Sequence, residues 1–143
     1  MSTPSETSKK LTKLNPKVVI SSADLTHLED LADSMMRRQP ALADRLLTEI
    51  SRARIVDATK VRGDVVTMGS TVTYRDETTA QEKTVTLVYP EDADIAQLRV
   101  SVMTPIGVAL LGLSEGASFD WDTLNDQRRI LTILKVAQPA INT

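Results

Sequence analysis

The sequence predicts an α+β protein: a short N-terminal antiparallel helical hairpin (a truncated coiled coil), followed by an antiparallel β-sheet domain with one short helix. Three observations predict it. Apolar residues recur at helical spacing in two successive stripes within the first third of the chain. At Gly63-Asp64 the pattern switches from helical period to strand alternation. The run Ser101 to Gly116, SVMTPIGVALLGLSEG, then breaks from a strand pattern into a capped apolar helix.

Taken in order, residues 1–15 are polar, with Pro4, three lysines and no sustained hydrophobic period, and read as a mobile tail. Val18, Val19 and Ile20 form a short β-prone patch. Ser21 and Ser22 are N-cap candidates and Asp24 suits the positive end of a helix, so the first helix is expected to start there. Leu25, Leu28, Leu31, Ala32 and Met35 give it one apolar stripe up to Arg37 and Arg38. After Gln39-Pro40, Leu42, Leu46, Ile50 and Ala53 make a second stripe, broadened by Leu47 and Ile55. Two facing stripes joined by a short turn predict a hairpin whose stripes form its core rather than a ligand pocket. Val56 to Gly63 reads as a hinge, which divides the chain into a hairpin at 16–62 and a sheet domain at 63–143.

In the second part, Val72 and Tyr74 alternate with Thr71, Thr73 and Arg75, and polar Asp76 to Gln81 separates them from Val85, Leu87 and Tyr89, the pattern of a β-hairpin. Pro90 to Asp94 reads as an acidic loop. Val100 and Val102 predict a half-buried strand, Thr104 can cap a helix, and Pro105 fits its first turn. Ile106, Ala109, Leu110 and Leu113 then share one helical face, and Gly116 is expected as the left-handed stop. Phe119 and Trp121 predict one face of a later strand, and Ile130 to Val136 a last one.

Composition narrows the chemistry. A chain of 143 residues with 41% hydrophobic content holds one compact domain plus a small appendage. With no cysteine and one histidine, disulfides, thiolate catalysis and Cys- or His-rich metal sites are excluded. A net charge of −2 gives no support for a strong phosphate-backbone binder. Sequence-specific DNA binding is therefore not expected, and neither is membrane insertion, because no apolar run is long enough. The polar N-terminus lacks a secretory core, which predicts a cytoplasmic protein. Gly107, Gly112 and Gly116 fit neither dinucleotide nor phosphate-loop spacing. His27 lies off the leucine stripe and is expected to face solvent, while Glu91, Asp92 and Asp94 read as hydrated loop carboxylates. No cofactor, metal or catalytic residue is expected.

Three segments, DVVTMGSTVTYRD from Asp64 to Asp76, TVTLVYPEDADI from Thr84 to Ile95, and the Ser101–Gly116 cassette, resemble in order and spacing the C-terminal domain of the Gre transcript-cleavage factors. The resemblance covers nearly all of residues 63–137, and its wording is most similar to the branch called Rnk, regulator of nucleoside diphosphate kinase. It implies an FKBP-like sheet domain that docks on the secondary-channel rim of bacterial RNA polymerase. Met103, Thr104, Pro105 and Ile106 match the segment implied to contact the rim, with Met103 at a position that can be acidic in the family.

Gre cleavage factors carry paired carboxylates at a coiled-coil tip, where they help hold a magnesium ion; here the tip contains Arg37, Arg38, Gln39 and Pro40, two cations and no acid. Only Asp33 and Asp44 could form a concealed acidic pair. Each arm is roughly 15 residues, or about 22 Å, too short for a channel-spanning coil. The expected function is a regulator that docks and competes with cleavage factors without cleaving. Competing readings are a true cleavage factor using Asp33 and Asp44, a prolyl isomerase built on Tyr74, Tyr89, Phe119 and Trp121, and a homo-oligomer formed through the exposed hairpin faces.

Overall fold

A computed structural model describes residues 16–122 and 128–139; the expected tail at 1–15 lies outside them. Strand β1 (Val19–Ser21) leads directly into helix α1 (Ser22–Met35), because the Ser21 hydroxyl accepts a hydrogen bond from the Ala23 N–H and so caps the helix. A turn at Met36–Gln39 reverses the chain. Pro40 opens helix α2 (Pro40–Arg52), where its fixed φ suits the first turn and its missing N–H costs nothing. Leu28, Ala32, Ala43, Leu46 and Ile50 are buried between the arms and the rest of the molecule.

The second stripe ends earlier than its periodicity suggests. Ala53 takes an extended conformation, and Arg54–Val56 forms strand β2, which pairs in parallel with β1. Ile55 therefore belongs to a strand and is 39% exposed rather than part of the hairpin core. The segment after it contains a 3₁₀ turn at Ala58–Lys60.

The main sheet comprises β3 (Thr71–Asp76), β4 (Glu82–Val88), β5 (Arg99–Ser101), β6 (Ser118–Asp122) and β7 (Arg128–Ala137), in the order β5-β4-β3-β7-β6. It is mixed rather than wholly antiparallel, because β5 runs parallel to β4 through Thr86↔Arg99, Leu87↔Val100 and Val88↔Ser101. Two 3₁₀ turns, Pro90–Asp92 and Ile95–Gln97, return the chain so that it re-enters in the same direction. Alternation decides which face is buried: Val72, Tyr74, Val85 and Leu87 point inward, while Thr71–Thr86 and Thr73–Thr84 pair through their hydroxyls at 2.9 Å on the other face. Phe119 is buried as expected, and the side chain of Trp121 lies outside the described ones.

Helix α3 (Pro105–Leu110) packs between the sheet and α2. It stops at Leu111, and Gly112, with φ 81°, supplies the left-handed stop; Gly116 is left-handed as expected, at φ 87°, but turns the chain later, before β6. The chain reverses at Gly112 because this residue lies against β1: its carbonyl accepts the Val19 N–H at 2.9 Å. Hairpin and sheet residues thus share one hydrophobic cluster, from Leu28 and Leu46 through Leu110 to Leu131 and Ile133. No helix among the described residues is long and apolar enough to cross a membrane.

Candidate docking site at the hairpin tip

The cassette between β5 and α3 is held by three local hydrogen bonds. The Thr104 hydroxyl donates to the Ser101 carbonyl at 2.7 Å and accepts from the Gly107 N–H at 3.0 Å, and the Ser101 hydroxyl accepts from the Met103 N–H at 2.9 Å. This cap fixes where the next side chains point. Pro105 is exposed, Thr104 and Ile106 are half-buried, and Met103 is only 5% exposed. A direct rim contact would require an exposed Met103, whereas a residue that ends a strand in the core would be buried; its side chain joins the apolar cluster, because the cap turns the chain immediately after it.

The hairpin tip lies beside this cassette. Pro105 lines an open groove of about 430 Å³ together with Gln39, Pro40, Ala41, Leu42 and Arg45. Arg37 and Arg38 are exposed in the turn before it. Among the described residues, neither these two nor Arg45 forms a salt bridge. The result is a groove with a proline- and leucine-lined floor beside unneutralised guanidinium groups, suited to an apolar anchor carried on an acidic surface. The sequence reading separated the tip from the rim segment, whereas the fold brings Gln39 and Pro40 together with Pro105. It also missed Leu42 and Arg45. Leu42 was assigned to the hairpin core, and nothing in a helical stripe reveals which of its end residues faces another domain.

Asp33 and Asp44 are both exposed. Their backbone carbonyls are engaged, that of Asp33 by the Met36 N–H and that of Asp44 by the Thr48 hydroxyl. No group of three or more His, Asp or Glu side chains that could hold a metal occurs among the described residues.

On the opposite end of α1, His27 is exposed as expected, but one face of it is covered. Its ring stacks on Tyr89 at 3.9 Å between centroids and 14° between planes, because Tyr89 follows β4 and lies under the first turns of α1. The Tyr89 hydroxyl is within hydrogen-bonding reach of the Asp24 carboxylate. Burial raises the Asp24 carboxyl above its ordinary range against the opposing pull of His27 and Tyr89. Burial, then the Asp24 charge and hydrogen bond, then Glu91, push the Tyr89 phenol well above its usual range. A phenol whose folded pKa is raised contributes stability that is present below the unfolded value, about 10, and is lost as pH rises beyond it. Tyr89→Phe is therefore expected to lower stability by about 1 kcal/mol at neutral pH, through loss of the Asp24 partner. It should also reduce the alkaline loss of stability, with Tyr74, likewise raised by burial, accounting for a remainder. Denaturant unfolding at pH 8 and 10.5 measures both effects.

Fold and groove together define an α+β protein of one kind: a helical hairpin seated on a mixed sheet, with a joint surface where the tip meets the cassette. Residues 60–138 match the family model described as transcription elongation factor, GreA/GreB, C-term, and residues 16–56 match the Rnk N-terminus model. The chain belongs to the GreA/GreB transcription elongation factor family, in the branch that carries the Rnk N-terminus. It is 34% identical over 107 residues to the regulator of nucleoside diphosphate kinase of Escherichia coli K12, covering 75% of this chain and 79% of that protein. Transcription elongation factor GreA of Brucella anthropi is 39% identical over 71 residues, half of this chain and 45% of that one. A solved GreA/GreB elongation factor from Nitrosomonas europaea superposes with a TM-score of 0.69 at 37% identity, covering 86% of this chain and 99% of that structure.

Proposed function

We propose that this chain is a non-catalytic transcription regulator that docks on the secondary-channel rim of RNA polymerase and competes there with Gre cleavage factors. The observation that carries the reading is the juxtaposition of exposed Pro105 with a basic, acid-free hairpin tip in one groove. A cleavage factor needs carboxylates where it meets the catalytic magnesium, and guanidinium groups would repel that ion. In this reading a sheet domain of FKBP-like type, residues 63–143, anchors the protein in the cytoplasm's transcription machinery, and the hairpin, residues 16–62, shares the contact. Arms of 14 and 13 residues span about 20 Å at 1.5 Å per residue, which limits reach. Thr104, Pro105 and Ile106 form the outer contact, with Met103 supporting them from below and Arg37, Arg38, Gln39 and Pro40 bordering it. Competition follows from a shared surface, since two proteins that need the same site exclude one another.

The test is binding to core RNA polymerase, with and without a competing Gre factor, and RNA shortening in a stalled elongation complex. Competitive binding without magnesium-dependent shortening is expected. Pro105→Glu is expected to weaken binding by about tenfold or more while leaving the melting temperature nearly unchanged, because the position is exposed and an acid is tolerated at the start of a helix. Absence of binding by the parent protein, or RNA shortening that Asp44→Ala abolishes, would overturn the reading.

A further inference from the structure

We propose that the Ile95–Leu98 turn is a second anchor for the same partner, seating two apolar side chains in a polymerase pocket rimmed by basic residues. The proposal rests on the polymerase reading above. Ile95 is 85% exposed and Leu98 57%, the two largest exposures among the large hydrophobic residues described. Such exposure gains nothing for the fold.

Leu98 is also held at φ 59° and ψ 33°, a left-handed conformation that Cβ sterics disfavour and that glycine adopts freely. The left-handed backbone caps the 3₁₀ turn, a position suited to glycine; an exposed leucine there is explained by neither packing nor local propensity. The turn is nonetheless rigidly built. The Leu98 N–H donates to the Ile95 carbonyl at 3.0 Å, the Thr86 N–H donates to the Leu98 carbonyl at 2.9 Å, and Asp94 and Arg99 exchange backbone bonds at 3.0 and 2.9 Å. The Asp94 carboxylate accepts the Ala96 N–H at 3.1 Å. Anchors fixed in advance lose little freedom on binding, so their apolar area converts more fully into affinity.

The occupant's chemistry follows from the charges. Glu91 and Asp92 are exposed on the adjoining turn, and Arg99 is the only cation between Pro90 and Arg99, against three acids. An acid-flanked apolar pair complements an apolar pocket with a basic rim. Its position fits the same partner: β5 is an edge strand of only three residues, with Leu98 immediately before it and the Thr104–Pro105 cap three residues after it, so the two contacts flank one short edge strand of the sheet.

Leu98→Gly separates fold from function, since it relieves backbone strain while removing the anchor. It is expected to melt at or above the parent temperature and to bind core RNA polymerase about tenfold or more weakly, as hot-spot truncation does. Ile95→Ser should weaken binding similarly, and Glu91→Lys should slow association most at low salt. If Leu98→Gly and Ile95→Ser bind as the parent does while Pro105→Glu does not, the turn is not a contact and the rim reading stands alone. If the parent does not bind polymerase, the rim reading fails and this proposal falls with it. A lower melting temperature for Leu98→Gly would assign the side chain to the fold. A parent mass that rises with concentration, abolished by Leu98→Gly with polymerase binding intact, would make the occupant a second copy of this chain and overturn the proposal.

Discussion

Gly107→Ala is expected to cost about 3 kcal/mol or more and to lower the melting temperature by roughly 10 °C, although alanine is ordinarily the better helix former. A Cβ at this position would lie 2.2 Å from the Ser101 carbonyl oxygen, 2.8 Å from Val102 Cα and 2.9 Å from the Thr104 hydroxyl. Two of these are backbone atoms that cannot rotate away. The Ser101 oxygen is the acceptor of the Thr104 hydroxyl, so relieving the clash pulls apart the cap that begins α3. The usual gain of up to about 1 kcal/mol for replacing a helical glycine is overwhelmed by overpacking. Gly63→Ala is the control: nothing lies within 4 Å of its added carbon, and its effect should stay within about 0.5 kcal/mol. Thermal unfolding of both variants checks the contrast, and equal, small losses would show that the cassette tolerates displacement.

The same cassette shows what local chemistry makes readable. Thr104 and Pro105 announce a helix start because cap and first-turn preferences act within three residues, and Ser21 announces α1 for the same reason. The stripes of the hairpin and the alternation of β3 and β4 are equally local, and each was legible from the chain. The resemblance to Gre factors added the family, which the matched regions bear out.

What escaped the sequence depends on distant partners. The β-prone patch at Val18–Ile20 announces β1 but not its partner: β1 and β2 are three residues each and pair only because the whole hairpin intervenes and returns the chain, so β2 carries no period long enough to detect. The parallel entry of β5 is decided by two 3₁₀ turns inside a segment that reads simply as an acidic loop. Glycine at 112 suits close packing and chain reversal, but what it packs against was hidden, because Val18 and Val19 lie almost a hundred residues earlier. The groove is the clearest case. Pro40 and Pro105 have no common pattern in the chain, and they meet because α2 packs on α3.

Met103 illustrates how burial changes the experiment that a sequence match invites. Met103→Asp, the obvious way to test a rim contact, is expected to leave the protein unfolded or nearly so at 37 °C. An unpaired carboxylate in a buried site costs about 3–5 kcal/mol, and the lost apolar burial adds about 1.5–3 kcal/mol, against a total stability of about 5–15 kcal/mol for a typical domain. Loss of polymerase binding in that variant would therefore report unfolding. Met103→Leu distinguishes the roles. It nearly conserves volume and apolarity, so it should cost less than about 1.5 kcal/mol and preserve the Thr104 cap. If Met103 supports Pro105 from beneath, Met103→Leu binds polymerase as the parent does, while Pro105→Glu does not. If the methionine itself reaches the partner, Met103→Leu loses affinity at unchanged stability, and the contact must then include a side chain that the free protein keeps buried at 5% exposure. Parallel measurement of unfolding and polymerase affinity for the three variants decides between a supporting and a contacting methionine, because only the contacting role separates the two readouts in Met103→Leu.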